Sequence, residues 1–222
     1  MRDVISMFHE RVTEIELYFS FLEDIMLNNS EIIFENDNRK KISHQLSQTL
    51  RANGFLLLYN LVESSMSLSV EAIHKEFTIK QISYDTLSNS VKTEIFKYLQ
   101  GKNVKVENFI KNVENIVFDI LKFPPQPRDI FSGNVDAREI KRISEKYGFS
   151  CKTNAKKTSN GSKLLTVKSR RNDLAHGFIS FQECGKEYSI QDLILIKKEV
   201  IAYISEILNN IQEYLDNRMY LK

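Results

Sequence analysis

Glycine, proline, cysteine and tryptophan are all scarce in this chain: 7, 3, 2 and none in 222 residues. So few turn-forming residues cannot serve a sandwich or barrel, whose strands change direction every ~8–12 residues, and long helices joined by a few loops are predicted instead. Two cysteines, Cys151 and Cys184, cannot build a disulfide framework, and neither has a second Cys or His at metal-ligand spacing. They are read as free thiols of a reducing compartment. No window approaches ~18 uninterrupted apolar residues, so no transmembrane helix is expected. The opening MRDVISMFHERVTEIE carries charge throughout and lacks the apolar stretch of a secretory leader. A cytoplasmic protein without a membrane partner is the expectation.

What is present is a globular composition. With 42% hydrophobic and 27% charged residues the chain is neither disordered nor collagen-like. Residues 3–27 place Ile5, Phe8, Val12, Ile15, Phe19, Leu22 and Ile25 at helical spacing, which predicts a long amphipathic helix. The polar stretch NNSEIIFENDN that follows reads as a connection, with a turn of helix around residues 32–34. A second helix is predicted over 43–77. Its middle is apolar all round, which suits a central core element, and the cost of Gly54 inside it points to a close helix–helix approach. Shorter helices are expected over 86–99 and 106–121, the second ended by FPPQP. Another is expected within 134–149, with Asn134 as N-cap and Gly148 as C-cap. Residues 152–171 read as a loop, and FISFQECGKEYSI as a small β-hairpin around Cys184–Gly185. The last helix is expected over about 191–215. The fold class is therefore all-α, a bundle of long helices with a small β-hairpin before the C-terminal helix, forming one domain over 1–222 with the first, second and last helices as its core.

The net charge of +2 conceals an uneven distribution. Residues 152–171 hold seven Lys or Arg and no acid. Lys152, Lys156, Lys157, Lys163, Lys168, Arg170 and Arg171 form a set suited to backbone phosphates, so RNA is the expected partner. Tyr147, Phe149 and Phe178 are the nearest aromatics for stacking a base, though core packing is the ordinary role of each.

Motifs for phosphate-binding loops, dinucleotides, serine nucleophiles and zinc are absent. His9, His44 and His74 lie in predicted helices and read as ordinary helix residues. Glu10 and Glu14 at i,i+4 read as solvated carboxylates, with a metal-dependent nuclease as their functional alternative.

The segment Arg170-Arg171-Asn172-Asp173-Leu174-Ala175-His176-Gly177 is different. It groups two guanidiniums, an amide, a carboxylate and an imidazole at the end of the basic stretch. In a helix, Asn172 and His176 stack at i,i+4 and Asp173 reaches His176 at i,i+3, while Arg171 stands about 140° around from His176. A guanidinium binds phosphate bidentately, and an imidazole moves a proton at neutral pH. Together they suit metal-independent cleavage of RNA, in which a base activates the 2′-hydroxyl and a cation stabilises charge building on phosphorus. No cofactor and no metal is called for. An exposed polar helix cap is the other reading these residues leave open.

The run Arg171-Asn172-Asp173-Leu174-Ala175-His176 resembles the signature of the HEPN superfamily (higher eukaryote and prokaryote nucleotide-binding domains): an Arg, a polar residue after it, and a His four to six residues beyond the Arg. FHERVTEIELYFSFLEDI, ANGFLLLYNLVESS and FSGNVDAREIKRISEKYGF also resemble stand-alone prokaryotic HEPN nucleases, so the similarity covers most of the chain. The resemblance implies a HEPN-like helical bundle and a metal-independent endoribonuclease of the toxin or phage-defence type, acting as a homodimer with a shared cleft. It further implies an antitoxin or defence-system partner and a 2′,3′-cyclic phosphate product. Carried over, Arg171 would stabilise the scissile phosphate, His176 would be general base or acid, and Asn172 would orient the site. The alternative it leaves is a non-catalytic HEPN module binding nucleotide, RNA or a partner protein. HEPN toxins silenced by a nucleotidyltransferase carry a Tyr two residues after the His; here that position is Phe178, so that regulation is not carried over.

Overall fold

Apolar residues at helical spacing and few breakers make most of the described chain helical; the structure, a computed structural model, describes residues 1–27, 31–33, 35, 37–101, 120–122, 131 and 133–222. The described elements run α1 (Arg2–Leu27), β1 (Glu31–Ile33), β2 (Arg39–Lys41), α2 (His44–Ile79), α3 (Asn89–Gly101), α4 (Ala137–Tyr147), α5 (Ala155–Thr158), α6 (Ser162–Ala175), α7 (Phe181–Lys186) and α8 (Ile190–Asp216). Short 3-10 turns cover Tyr84–Thr86, Ile120–Lys122 and Ser159–Gly161. The all-α class holds, and the three longest predicted helices fall within a few residues of their observed bounds. The helix predicted over 106–121 and the FPPQP stop lie outside the described residues, apart from the turn at Ile120–Lys122.

Three local readings are corrected. The β-hairpin is not before the last helix but at β1–β2, antiparallel with Ile32 opposite Lys40; β1 lies in the stretch read as a polar connection and β2 directly follows it. The supposed hairpin segment is α7. Its N-terminus is fixed by a capping box in which Ser180 Oγ accepts the Glu183 N–H at 3.2 Å and the Glu183 carboxylate accepts the Ser180 N–H at 2.9 Å. Those two bonds satisfy orphan donors, and they outweigh the β-type residues on either side. The basic stretch is not a loop either, since α5 and most of α6 lie in it. Asn154 caps α5 by accepting the Lys156 N–H, and Leu164, Val167 and Leu174 give α6 a buried stripe. The N-cap of α4 is Asp136 rather than Asn134: its carboxylate accepts from Arg138 and Glu139 N–H at 3.0 and 3.1 Å. Gly148 ends α4 at φ 90°, a conformation in which a side chain would be strained.

The chain divides into two units. One comprises 1–5, 63–153 and 205–222, the other 6–62 and 154–204. In the first, an aromatic cluster fills the core. His74 and Tyr147 pair side chain to side chain at 2.8 Å, and Tyr214 donates its hydroxyl to the Tyr147 carbonyl at 2.7 Å. Phe77 packs against Tyr220, which is fully buried, and the Tyr220 carbonyl accepts the Ser88 N–H at 2.9 Å. The resulting tail pairs Leu221 with Leu87 as an isolated bridge. Burial holds the imidazole of His74 uncharged down to about pH 4 and pushes the Tyr147 hydroxyl well above its ordinary value.

In the second unit, α1 and the first part of α2 meet where Gly54 removes a side chain: a Cβ there would stand 3.2 Å from the Phe19 ring. This is the close approach expected of Gly54. The Lys197 amine of α8 is buried, lies 5.3 Å above the same ring and pairs with Glu16 of α1. The short helix α7 crosses α2 still more closely at Gly185, where a Cβ would fall 1.8 Å from the Gln48 carbonyl oxygen. Arg51 of α2 donates to the Tyr188 carbonyl at 2.7 Å just beyond α7, and Phe55 packs edge-on to the Tyr188 ring.

Candidate functional site

Helix α6 carries the Arg–His segment, and its start is unusual. Ser159, Asn160 and Gly161 are all left-handed, with φ of 45°, 52° and 75°. This turn reverses the chain out of α5 and launches α6 without a side-chain cap.

Arg171 takes a position that an apolar residue would ordinarily occupy. It lies four residues after Val167 and three before Leu174, within the buried stripe of α6. Its guanidinium stacks over the ring of Tyr59, 4.4 Å from the centroid, and Tyr59 is itself only 2% exposed. Nη1 of Arg171 donates to the Asn172 amide oxygen at 2.9 Å. One flat face of the cation is therefore covered by an aromatic ring and one edge is held by its neighbour, which restrains a long side chain at low entropic cost. Tyr59 was not singled out in the sequence, because only the fold brings α2 under α6.

His176 is the C-cap of α6 and is exposed. Its N–H is taken by the Asn172 carbonyl at 2.9 Å, so Asn172 serves the site twice, through its amide and its backbone. Gly177 follows at φ 70°, with its N–H on the Leu174 carbonyl, and Phe178 N–H reaches the Asp173 carbonyl at 2.9 Å. These two bonds define a Schellman ending, which fixes the backbone on both sides of the imidazole. The expected Asp173–His176 contact does not form: the Asp173 carboxylate turns to Arg170 at 3.6 Å. Phe178, read as a core residue, is 80% exposed and tilts against the His176 ring at 5.6 Å, whereas Tyr147 and Phe149 are buried as expected.

The other basic residues separate into two kinds. Lys156 and Lys157 on α5 are exposed, whereas Lys163, Lys168 and Arg170 on α6 are half-buried. Arg170 sits between Asp173 and Glu187, 3.6 and 3.2 Å away. Lys163 lies near enough to Asp192 to help the Ser189 hydroxyl and N–H hold that carboxyl below its ordinary range. Lys152 belongs to the other unit, where its carbonyl accepts from Asn210 at 2.9 Å. Elsewhere in the second unit a cleft of about 850 Å³ is lined by Lys41, His44, Arg51 and Ile190, but by none of the Arg171–His176 segment. Among the described residues no group of three or more His, Cys, Asp or Glu is placed to hold a metal ion, and no helix is long and apolar enough to cross a membrane. Glu10 and Glu14 are exposed on α1.

A guanidinium, an amide and an imidazole gathered at one helix end can bind a phosphate group and move a proton at neutral pH. The family described as HEPN_MAE_28990-like HEPN matches residues 2–220, and the chain belongs to the HEPN superfamily. No curated protein and no solved structure matches it with significance.

Proposed function

We propose that this HEPN protein is a metal-independent endoribonuclease of the toxin or phage-defence kind. The observation that carries the reading is the held Arg171: a cation on the inward stripe of α6, stacked on Tyr59 and tied to Asn172, five residues before an exposed His176. A purely solvated helix end has no use for such restraint. In the reaction His176 takes the proton of a ribose 2′-hydroxyl, the 2′-oxygen attacks phosphorus, and Arg171 stabilises the added negative charge. The imidazolium returns its proton to the departing 5′-oxygen, giving a 2′,3′-cyclic phosphate and a 5′-hydroxyl. Asn172 orients the pair, and Lys156, Lys157, Lys163, Lys168 and Arg170 guide the RNA backbone.

Arg171 and His176 stand about 140° apart around the helix. A homodimer, in which two copies of the motif face one cleft, brings a guanidinium and an imidazole to the same phosphate. An antitoxin or defence-system protein that covers this cleft is the corresponding control, and the cytoplasm is the corresponding compartment.

Purified protein incubated with total RNA in EDTA is expected to cut it and leave 5′-hydroxyl ends, and His176→Ala is expected to abolish cutting with the helical spectrum unchanged. Intact RNA favours the non-catalytic binding module. Cleavage lost in EDTA favours a metal-dependent nuclease. Sedimentation showing only monomer at working concentration removes the shared cleft.

A further inference from the structure

Phe178 is more exposed than any other large apolar side chain among the described residues, at 80%. Its backbone is nonetheless closely held. Its own N–H is bonded to Asp173 at 2.9 Å, Gly177 N–H to Leu174 at 3.3 Å, and two residues on Ser180 begins the capping box of α7. At this position of a Schellman ending the side chain usually packs back onto the helix. Here it does not, and the ring leans on the His176 imidazole at 5.6 Å with a 35° tilt. An apolar plane is thus presented to solvent on a fixed turn, beside the imidazole of the proposed site.

The surroundings indicate what covers it. Along the chain beside it Ala175, His176, Gly177 and Ser180 are exposed while Ile179 and Phe181 are half-buried, so no second large apolar side chain is exposed next to it in the chain. The nearby carboxylates of Asp173 and Glu187 are both engaged by Arg170, and α5 and α6 contribute only cations to the rest of the stretch up to Arg171. A ligand with a flat face and negative charge suits this place, and an unpaired nucleobase with its phosphates has both.

We propose that Phe178 is a stacking platform for a base of single-stranded RNA next to the phosphate engaged by Arg171 and His176, an inference that rests on the ribonuclease reading above. It makes unpaired segments, rather than duplex, the substrate class. It also makes recognition tolerant of sequence, because every base has a π-face.

The chain has no tryptophan, so Phe178→Trp introduces a single indole at the ring's position. The probe is a single-stranded 2′-O-methyl oligonucleotide, which lacks the attacking hydroxyl and stays intact, titrated with and without a fluorescein label. Saturable quenching of the indole is expected, with none from the same sequence as a duplex. Phe178→Tyr is expected to bind as the parent does, and Phe178→Ala about 10-fold or more weakly. The exposure of the ring means that neither change threatens the fold. Binding seen by anisotropy without quenching overturns the platform and leaves the ribonuclease reading standing. Failure of the parent to bind overturns both. An indole emission that shifts to the blue with protein concentration, before any oligonucleotide is added, means that a second copy covers the ring and also overturns the proposal.

Discussion

Replacing Gly185 by alanine adds one methyl group, and its expected effect follows from a single distance. The new Cβ would lie 1.8 Å from the carbonyl oxygen of Gln48 and 2.6 Å from its carbon. Relieving that contact requires moving α7 and α2 apart by more than 1 Å, because the obstacle is helix backbone rather than the end of a side chain. Overpacked sites cost about 1–3 kcal/mol, and a backbone obstacle puts this one at the upper end, about 3 kcal/mol. Alanine returns only ~1 kcal/mol of helix propensity, so a net loss of about 2 kcal/mol or more is expected. In a chain of this size that lowers Tm by roughly 4–8 °C. Gly54→Ala is the control, since it gains the same propensity and meets only the edge of the Phe19 ring at 3.2 Å. Its stability should stay within about 1 kcal/mol of the parent. Thermal and urea denaturation of the three proteins, followed by circular dichroism, makes the comparison. A Gly185→Ala protein that melts with the parent, or no less stably than Gly54→Ala, refutes the close crossing.

Acid should destabilise the protein through His74. Its buried imidazole stays neutral to about pH 4 while the unfolded one protonates near 6.5, so the contribution is full above pH 6.5 and lost as pH falls through that window. It amounts to about 3 kcal/mol at most, and urea denaturation at pH 7 and 4.5 should show the slope flattened in His74→Leu. Tyr59→Leu, which removes the ring under Arg171, should slow RNA cleavage about 10-fold while Tyr59→Phe keeps it, the stack being worth about 0.5–2 kcal/mol; equal loss in both would point to the hydroxyl instead. Asp136→Ala should cost about 1 kcal/mol in denaturation through loss of the α4 cap, and Asp136→Asn should recover most of it.

The long helices were legible because their apolar residues repeat at helical spacing over many turns, as in α1 from Phe8 to Ile25. The region after Ser150 was misread where composition and local hydrogen bonding disagree. Seven cations and no acid over 152–171 suggest a solvated loop, yet Leu164, Val167 and Leu174 mark a helix face. Arg171 falls within that face, and a charged residue on a buried stripe is a signal that something must receive it. FISFQEC suggested strand by residue type, while Ser180 and Glu183, three apart, carried the capping signature that decides the matter. What no local pattern could give is the company each residue keeps: Tyr59 under Arg171, Gln48 against Gly185, and Glu187 beside Arg170 are all joined by the fold alone.

The arrangement of the two units bears on how the protein is made. Each is assembled from separated stretches of chain, one needing residues up to 204 and the other up to 222. During synthesis at roughly 5–20 residues per second, α1 and α2 therefore leave the ribosome well before their partners in α6 and α8 exist. Tyr59 waits for Arg171, and Lys197 comes later still to close on Glu16. Until those later helices emerge, the apolar faces of α1 and α2 around Phe19 and Tyr59 lack their partners, and they are the surfaces most in need of protection while the chain is being made.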